Sequence, residues 1–130
     1  GPYYCAEDSR LTAVTTCFNL SSRINLTALI TQTQYYASIG LIDPPSNLSN
    51  SRVYIYSGSL DSIIAPGVVK KQELYYTSYI TGPGAIKTKY DIPAEHGMPT
   101  DNYGGACGSL NNEYIINCDY NGAYEALNHI

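Results

Sequence analysis

Between Arg52 and Ile92 the sequence passes from a strand-length apolar run to a helical rhythm and back to strict alternation, and this succession constrains the fold more than any other feature. Arg52-Val53-Tyr54-Ile55-Tyr56 is rich in β-branched and aromatic residues and follows the breaker cluster Asp43-Pro44-Pro45-Ser46-Asn47, so it reads as a strand. After Pro66, the apolar positions Val68, Val69, Leu74, Tyr75 and Tyr79 predict a helix over 67–80, stopped by Gly82-Pro83-Gly84. Ile86, Thr88, Tyr90 and Ile92 then alternate with Lys87, Lys89 and Asp91, which is the period of a second strand. An earlier helix is predicted over 26–39 from Leu26, Leu29, Ile30, Tyr36 and Ile39, with Gly40 ending it, and a last one from Asn121 through Leu127 to Ile130. Strand and helix in alternation is the α/β pattern. Residues 1–24 read as a stapled loop, and the stretch from Pro93 through the last two cysteines as a Gly-rich loop.

The cysteines bear on compartment. Cys5 and Cys17 lie twelve positions apart and Cys107 and Cys118 eleven, and neither pair has the C-x-x-C spacing of zinc or redox sites. Of the three possible pairings, two local disulfides are the simplest. Structural disulfides imply an oxidising compartment, so the chain is expected to be secreted or to reside in the secretory lumen. Asn19-Leu20-Ser21, Asn25-Leu26-Thr27 and Asn47-Leu48-Ser49 are N-glycosylation acceptors that point the same way. The net charge of −4, with seven scattered Lys and Arg residues, gives no footprint for nucleic acid. No run is long enough to span a bilayer, and no cofactor or metal site is implied.

Catalytic chemistry enters at the ends of the two strands. In α/β sheets functional residues collect in the loops beyond the carboxyl ends of the strands, and Asp61 and His96 occupy those two loops. A carboxylate that orients an imidazole, and stabilises the cation it forms, is the acid–base half of a serine triad. The order acid then histidine fits an α/β-hydrolase, whose nucleophile precedes both.

Longer stretches carry a resemblance. Arg52-Val53-Tyr54-Ile55-Tyr56-Ser57-Gly58-Ser59-Leu60-Asp61, followed by Ser62-Ile63-Ile64-Ala65-Pro66-Gly67, resembles the acid loop of extracellular polyhydroxybutyrate (PHB) depolymerases and related secreted esterases. Gly1-Pro2-Tyr3-Tyr4-Cys5-Ala6 looks like a segment these enzymes carry shortly after the nucleophile. Glu95-His96-Gly97-Met98-Pro99-Thr100 resembles their histidine motif, and Cys107 to Cys118 with the following Asp119–Leu127 resembles their final disulfide and closing helix. The resemblance implies the C-terminal half of a three-layer α/β-hydrolase, with residues 1–130 forming part of a single domain. It also implies Asp61 as triad acid, His96 as general base, and both local disulfide pairings.

Two departures qualify the resemblance. No Gly-x-Ser-x-Gly occurs, so the nucleophile is expected upstream, on an N-terminal fragment of the same precursor or on another chain. Met98 stands where the family has an aromatic residue, and the chain has no Trp, which weakens the case for an aromatic polymer-binding surface. The chain is therefore expected to belong to a proteolytically processed, two-piece serine esterase. The alternative is an inactive secreted structural, adhesive or binding protein on the same scaffold. A chain lacking half its sheet should expose an apolar face and require a partner. Tyr35, Tyr36, Tyr54, Tyr56, Tyr75, Tyr76 and Tyr79 fall at core spacing, Tyr103, Tyr114 and Tyr120 are candidates for exposure, and His129 reads as a surface or helix-end residue.

Overall fold

The computed structural model describes residues 1–130 and contains four α-helices, two short 3₁₀ turns and five strands. The helices are α1 (Arg10–Asn19), α2 (Leu26–Ser38), α3 (Pro66–Tyr76) and α4 (Gly122–His129). The strands are β1 (Val53–Tyr56), β2 (Ile86–Lys89), β3 (Met98–Thr100), β4 (Gly105–Ala106) and β5 (Ile115–Asn117). β1 pairs in parallel with β2, and β5 lies between β3 and β4 in a second parallel sheet. The architecture is a partial α/β fold.

Local chemistry explains most of the boundaries. Asn25 Oδ1 accepts the Ala28 N–H at 3.1 Å to cap α2, and Asn121 Oδ1 accepts the Tyr124 N–H at 3.0 Å to cap α4. Pro66 opens α3, where its missing N–H costs nothing. Gly40, at φ 74°, ends α2 in the left-handed region, with its N–H on the Ala37 carbonyl.

Other boundaries differ from those expected. Residues 10–19 form α1 rather than loop: Thr12, Val14, Thr15 and Thr16 have modest helix propensity, but Ser9 Oγ caps the helix and Cys17 anchors it in the core. α3 stops at Tyr76, four residues early, where Thr77 Oγ1 bonds back to the Leu74 carbonyl at 2.8 Å. β2 stops at Lys89 rather than Ile92, because the Ser57 N–H closes its ladder on the Lys89 carbonyl. Beyond that point the carbonyls of Ile92 and Ala94 serve the loop after β1 instead. β3, β4 and β5 are two or three residues long, too short for any periodicity to announce them.

Two cores hold these pieces. Cys5, Cys17, Ile24, Leu29 and Val68 bury one another where α1, α2 and α3 meet, and the Cys5–Cys17 disulfide closes that layer. Beside it, Thr33 Oγ1 donates to the Leu29 carbonyl and so must accept from Tyr75 Oη, 2.6 Å away, which joins α2 to α3. The second core packs Ile92, Ala94 and Ile116 against Tyr56, Tyr120 and the Cys107–Cys118 disulfide. It fastens the small sheet to the loop that carries His96.

His129 is not a surface residue. It is 9% exposed, its Nε2 lies 3.0 Å from the Ala85 carbonyl, and its own carbonyl accepts the Arg52 guanidinium at 3.1 Å. The end of α4 is thereby tied to the starts of both β1 and β2. Tyr120 is likewise only partly exposed, its hydroxyl bonded to that of Tyr54, whereas Tyr35 is exposed.

Candidate active site

The loops after β1 and β2 are laced together by backbone. The Ser59 N–H donates to the Ile92 carbonyl at 2.8 Å, and the Leu60 N–H to the Ala94 carbonyl at 3.1 Å. Gly58 permits this approach, since a Cβ there would sit 2.1 Å from the Ala94 oxygen. The lacing delivers Asp61 and His96 to one point: His96 Nδ1 lies 2.9 Å from Asp61 Oδ2. Gly58→Ala should force the two loops apart and destabilise the fold by about 1–3 kcal/mol, to be read as a lowered midpoint in chemical denaturation. Unchanged stability would mean that the contact is not rigid.

Asp61 is fixed on both oxygens. Oδ1 accepts the N–H groups of Ile63 at 3.0 Å and Ile64 at 2.7 Å, so the carboxylate has one rotamer open to it and presents Oδ2 to the ring. Its side chain is 8% exposed, whereas that of His96 is 36% exposed. A carboxylate accepts only, so Nδ1 carries the proton, and Nε2 is left free of any hydrogen bond within the chain. The imidazole is therefore set up to take a proton on its outer nitrogen.

His96 lines a groove of about 560 Å³ that runs along β1, past Asp61, to Met98 and Tyr114. The Tyr114 ring meets His96 edge to face at 5.7 Å. Tyr114 adopts φ 54°, a costly backbone for a bulky residue, and its carbonyl accepts the Met98 N–H at 2.7 Å. Tyr56 Oη is buried without a partner, and burial together with the neighbouring Asp61 carboxylate pushes the phenol up to about 12. It remains a neutral hydroxyl across the physiological range.

No serine in the chain bonds to His96. Ser57, immediately after β1, is buried and turns its hydroxyl to the Gly58 carbonyl. Glu95 is a participant that sequence reasoning passed over: its carboxylate accepts the N–H groups of both His96 and Ser62. Its position immediately before His96 was the available signal. Asn19, Asn25 and Asn47 are all exposed, and the cap at Asn25 uses Oδ1, which leaves Nδ2, the atom that would carry a glycan, unengaged.

No family model matches the chain. It is 41% identical over all its 130 residues to a poly(3-hydroxybutyrate) depolymerase of Delftia acidovorans, covering 26% of that protein. It is 30% identical over 90 residues, 63% of its length, to a polyhydroxybutyrate depolymerase of Talaromyces funiculosus, covering 25% of that protein. Among solved structures, 98% of the chain superposes on a serine-to-alanine PHB depolymerase complexed with an R3HB trimer, at a TM-score of 0.82 and 24% identity, covering 39% of that structure. The whole chain superposes on PHB depolymerase from Penicillium funiculosum with a TM-score of 0.84, also at 24% identity, covering 40% of it. The chain thus spans about a quarter of the length of the curated relatives it matches. Along all of its length it is similar to the polyhydroxybutyrate depolymerases, and it shares their α/β fold.

Proposed function

We propose that this chain supplies the acid and the base of a secreted serine-type carboxylic ester hydrolase acting on polyhydroxybutyrate-like esters, and that the nucleophilic serine lies in a part of the protein outside residues 1–130. The observation that carries this reading is the Asp61–His96 pair, 2.9 Å apart, with Asp61 locked by two amides and His96, its Nε2 without a hydrogen bond in the chain, lining a groove.

In this reading the serine hydroxyl gives its proton to Nε2 as its oxygen attacks the ester carbonyl. The tetrahedral oxyanion collapses, and the departing alkoxide takes that proton from Nε2. Water then repeats the sequence on the acyl-enzyme, passing a proton to Nε2 as it attacks and releasing the acid and the serine. Asp61 Oδ2 holds Nδ1–H throughout and stabilises the imidazolium.

Support for a missing partner segment comes from the edge of β1. The N–H groups of Val53 and Ser57 point to β2, so by alternation the peptide groups of Tyr54 and Tyr56 face the other edge, which no strand covers. The N-terminal part of the same precursor would add its strand there and bring the serine into the groove. Only 19 of the 130 residues are buried, and Leu11, Leu41, Leu74 and Leu127 are exposed, so the chain has apolar surface left for such an assembly. Secretion and glycans on Asn19, Asn25 and Asn47 complete the reading.

The test is a fluorophosphonate probe on the native, full-length material, followed by peptide mapping. The expected result is one labelled serine in a Gly-x-Ser-x-Gly context outside these residues, with labelling lost in His96→Ala. A native protein that takes no label, or labelling indifferent to His96, would point instead to a non-enzymatic secreted scaffold.

A further inference from the structure

Three consecutive amides follow Asp61, and two carboxylates share them. Ile63 and Ile64 donate to Asp61 Oδ1, but the first amide, that of Ser62, goes to Glu95 Oε2 at 3.1 Å. The same oxygen accepts the His96 N–H at 2.9 Å. Glu95 therefore touches the acid loop and the histidine loop at once, one residue from Asp61 on one side and adjacent to His96 on the other. Its own backbone is held in turn, its N–H donating to the Cys107 carbonyl at 2.9 Å.

We propose that Glu95 is a positioning residue: its carboxylate clamps the Ser62 and His96 amides together, and so sets the separation at which Asp61 grips the imidazole. The backbone lacing at Ser59 and Leu60 ends before Asp61, and beyond it Glu95 Oε2 and the Asp61–His96 pair itself join the tips of the two loops. The two N–H groups hold the Glu95 carboxyl below its ordinary range, His96 contributing most and Ser62 next. A depressed carboxyl contributes stability that is present above its unfolded value and lost as pH falls through its folded value, so acid weakens the clamp by removing its charge while leaving an acceptor oxygen in place.

This inference rests on the hydrolase reading for its kinetic consequence, but not for its structural one. The test therefore has two arms on the full-length protein, comparing wild type, Glu95→Ala and Glu95→Gln. The first arm reads the 15N chemical shifts of the His96 ring, with the His129 ring, bonded to Ala85, as internal reference. Wild type should show His96 protonated on Nδ1 alone. Glu95→Ala should move the His96 shifts toward a mixture of tautomers without moving those of His129, and Glu95→Gln, which keeps an acceptor oxygen, should restore most of the wild-type pattern. The second arm is kinetic: Glu95→Ala should lower kcat about 10–100-fold, the order of loss that follows when a catalytic group is misplaced by roughly 1 Å, with KM unchanged. His96 shifts that are already mixed in wild type, or unmoved in Glu95→Ala, overturn the inference. A wild type that takes no fluorophosphonate label defeats the hydrolase reading alone, and the ring shifts still decide the role of Glu95.

Discussion

Asp61→Asn in the full-length protein should lower kcat for ester hydrolysis about 10⁴-fold while leaving the fold intact. The amide is nearly isosteric, and its oxygen can stay on the N–H groups of Ile63 and Ile64, which bind Oδ1 in the native chain. The amide NH₂ then faces His96 Nδ1 and, being a donor, requires an acceptor there. The imidazole must shift its proton to Nε2, the nitrogen that receives the serine proton in the proposed reaction. The loss should therefore appear in kcat, with the thermal midpoint little changed. A fall of less than about tenfold would show that His96 is oriented by something other than Asp61, since a single orienting partner carries far more than that in a triad.

The second large effect is expected from the Cys107–Cys118 bridge. Replacing both cysteines with serine removes a cross-link that spans eleven positions, worth about 3 kcal/mol by loop entropy with wide scatter. The bridge also has a local task. Cys107 offers its carbonyl to Glu95, the disulfide packs with Ile92, Ala94 and Ile116, and the loop it closes carries Tyr114, whose ring abuts His96. Hydrolysis should accordingly fall more than stability alone explains, even at temperatures where the variant is fully folded. The Cys5–Cys17 pair, twelve positions apart, braces the helical core, which is separate from the one under the His96 loop, and serves as the control. Its removal should destabilise comparably but leave kcat of the folded fraction near wild type. Equal effects of the two deletions on kcat would show that the second bridge acts through global stability only.

The sequence was most legible where many side chains repeat one instruction. α2, β1 and α4 announce themselves through periodicity and caps, and they occur close to where those signals lie, because each cap is a bond between residues three apart. The strand-end loops bearing Asp61 and His96 were legible for a related reason: two strands in a parallel pair must place their carboxyl ends on the same side. α1 was not legible, because its threonines argue against helix and its stability comes from Cys17 packing on residues that are distant in sequence.

What the sequence determined by itself was the order of elements, the residue types able to do acid–base work, and the absence of a Gly-x-Ser-x-Gly nucleophile from these 130 residues. Only the tertiary structure decided that Asp61 and His96, thirty-five positions apart, meet at 2.9 Å, that Glu95 spans both loops, and that His129 is buried against Ala85. Local propensity and capping act over a few residues, so they can be read along the chain. The first two contacts depend instead on how β1 and β2 pair, on the glycine that lets their loops approach, and on the disulfide-braced sheet beneath them, and the third on how α4 packs across the starts of the same two strands. Such distances arise from the sum of many packing choices, and no short stretch of sequence encodes them.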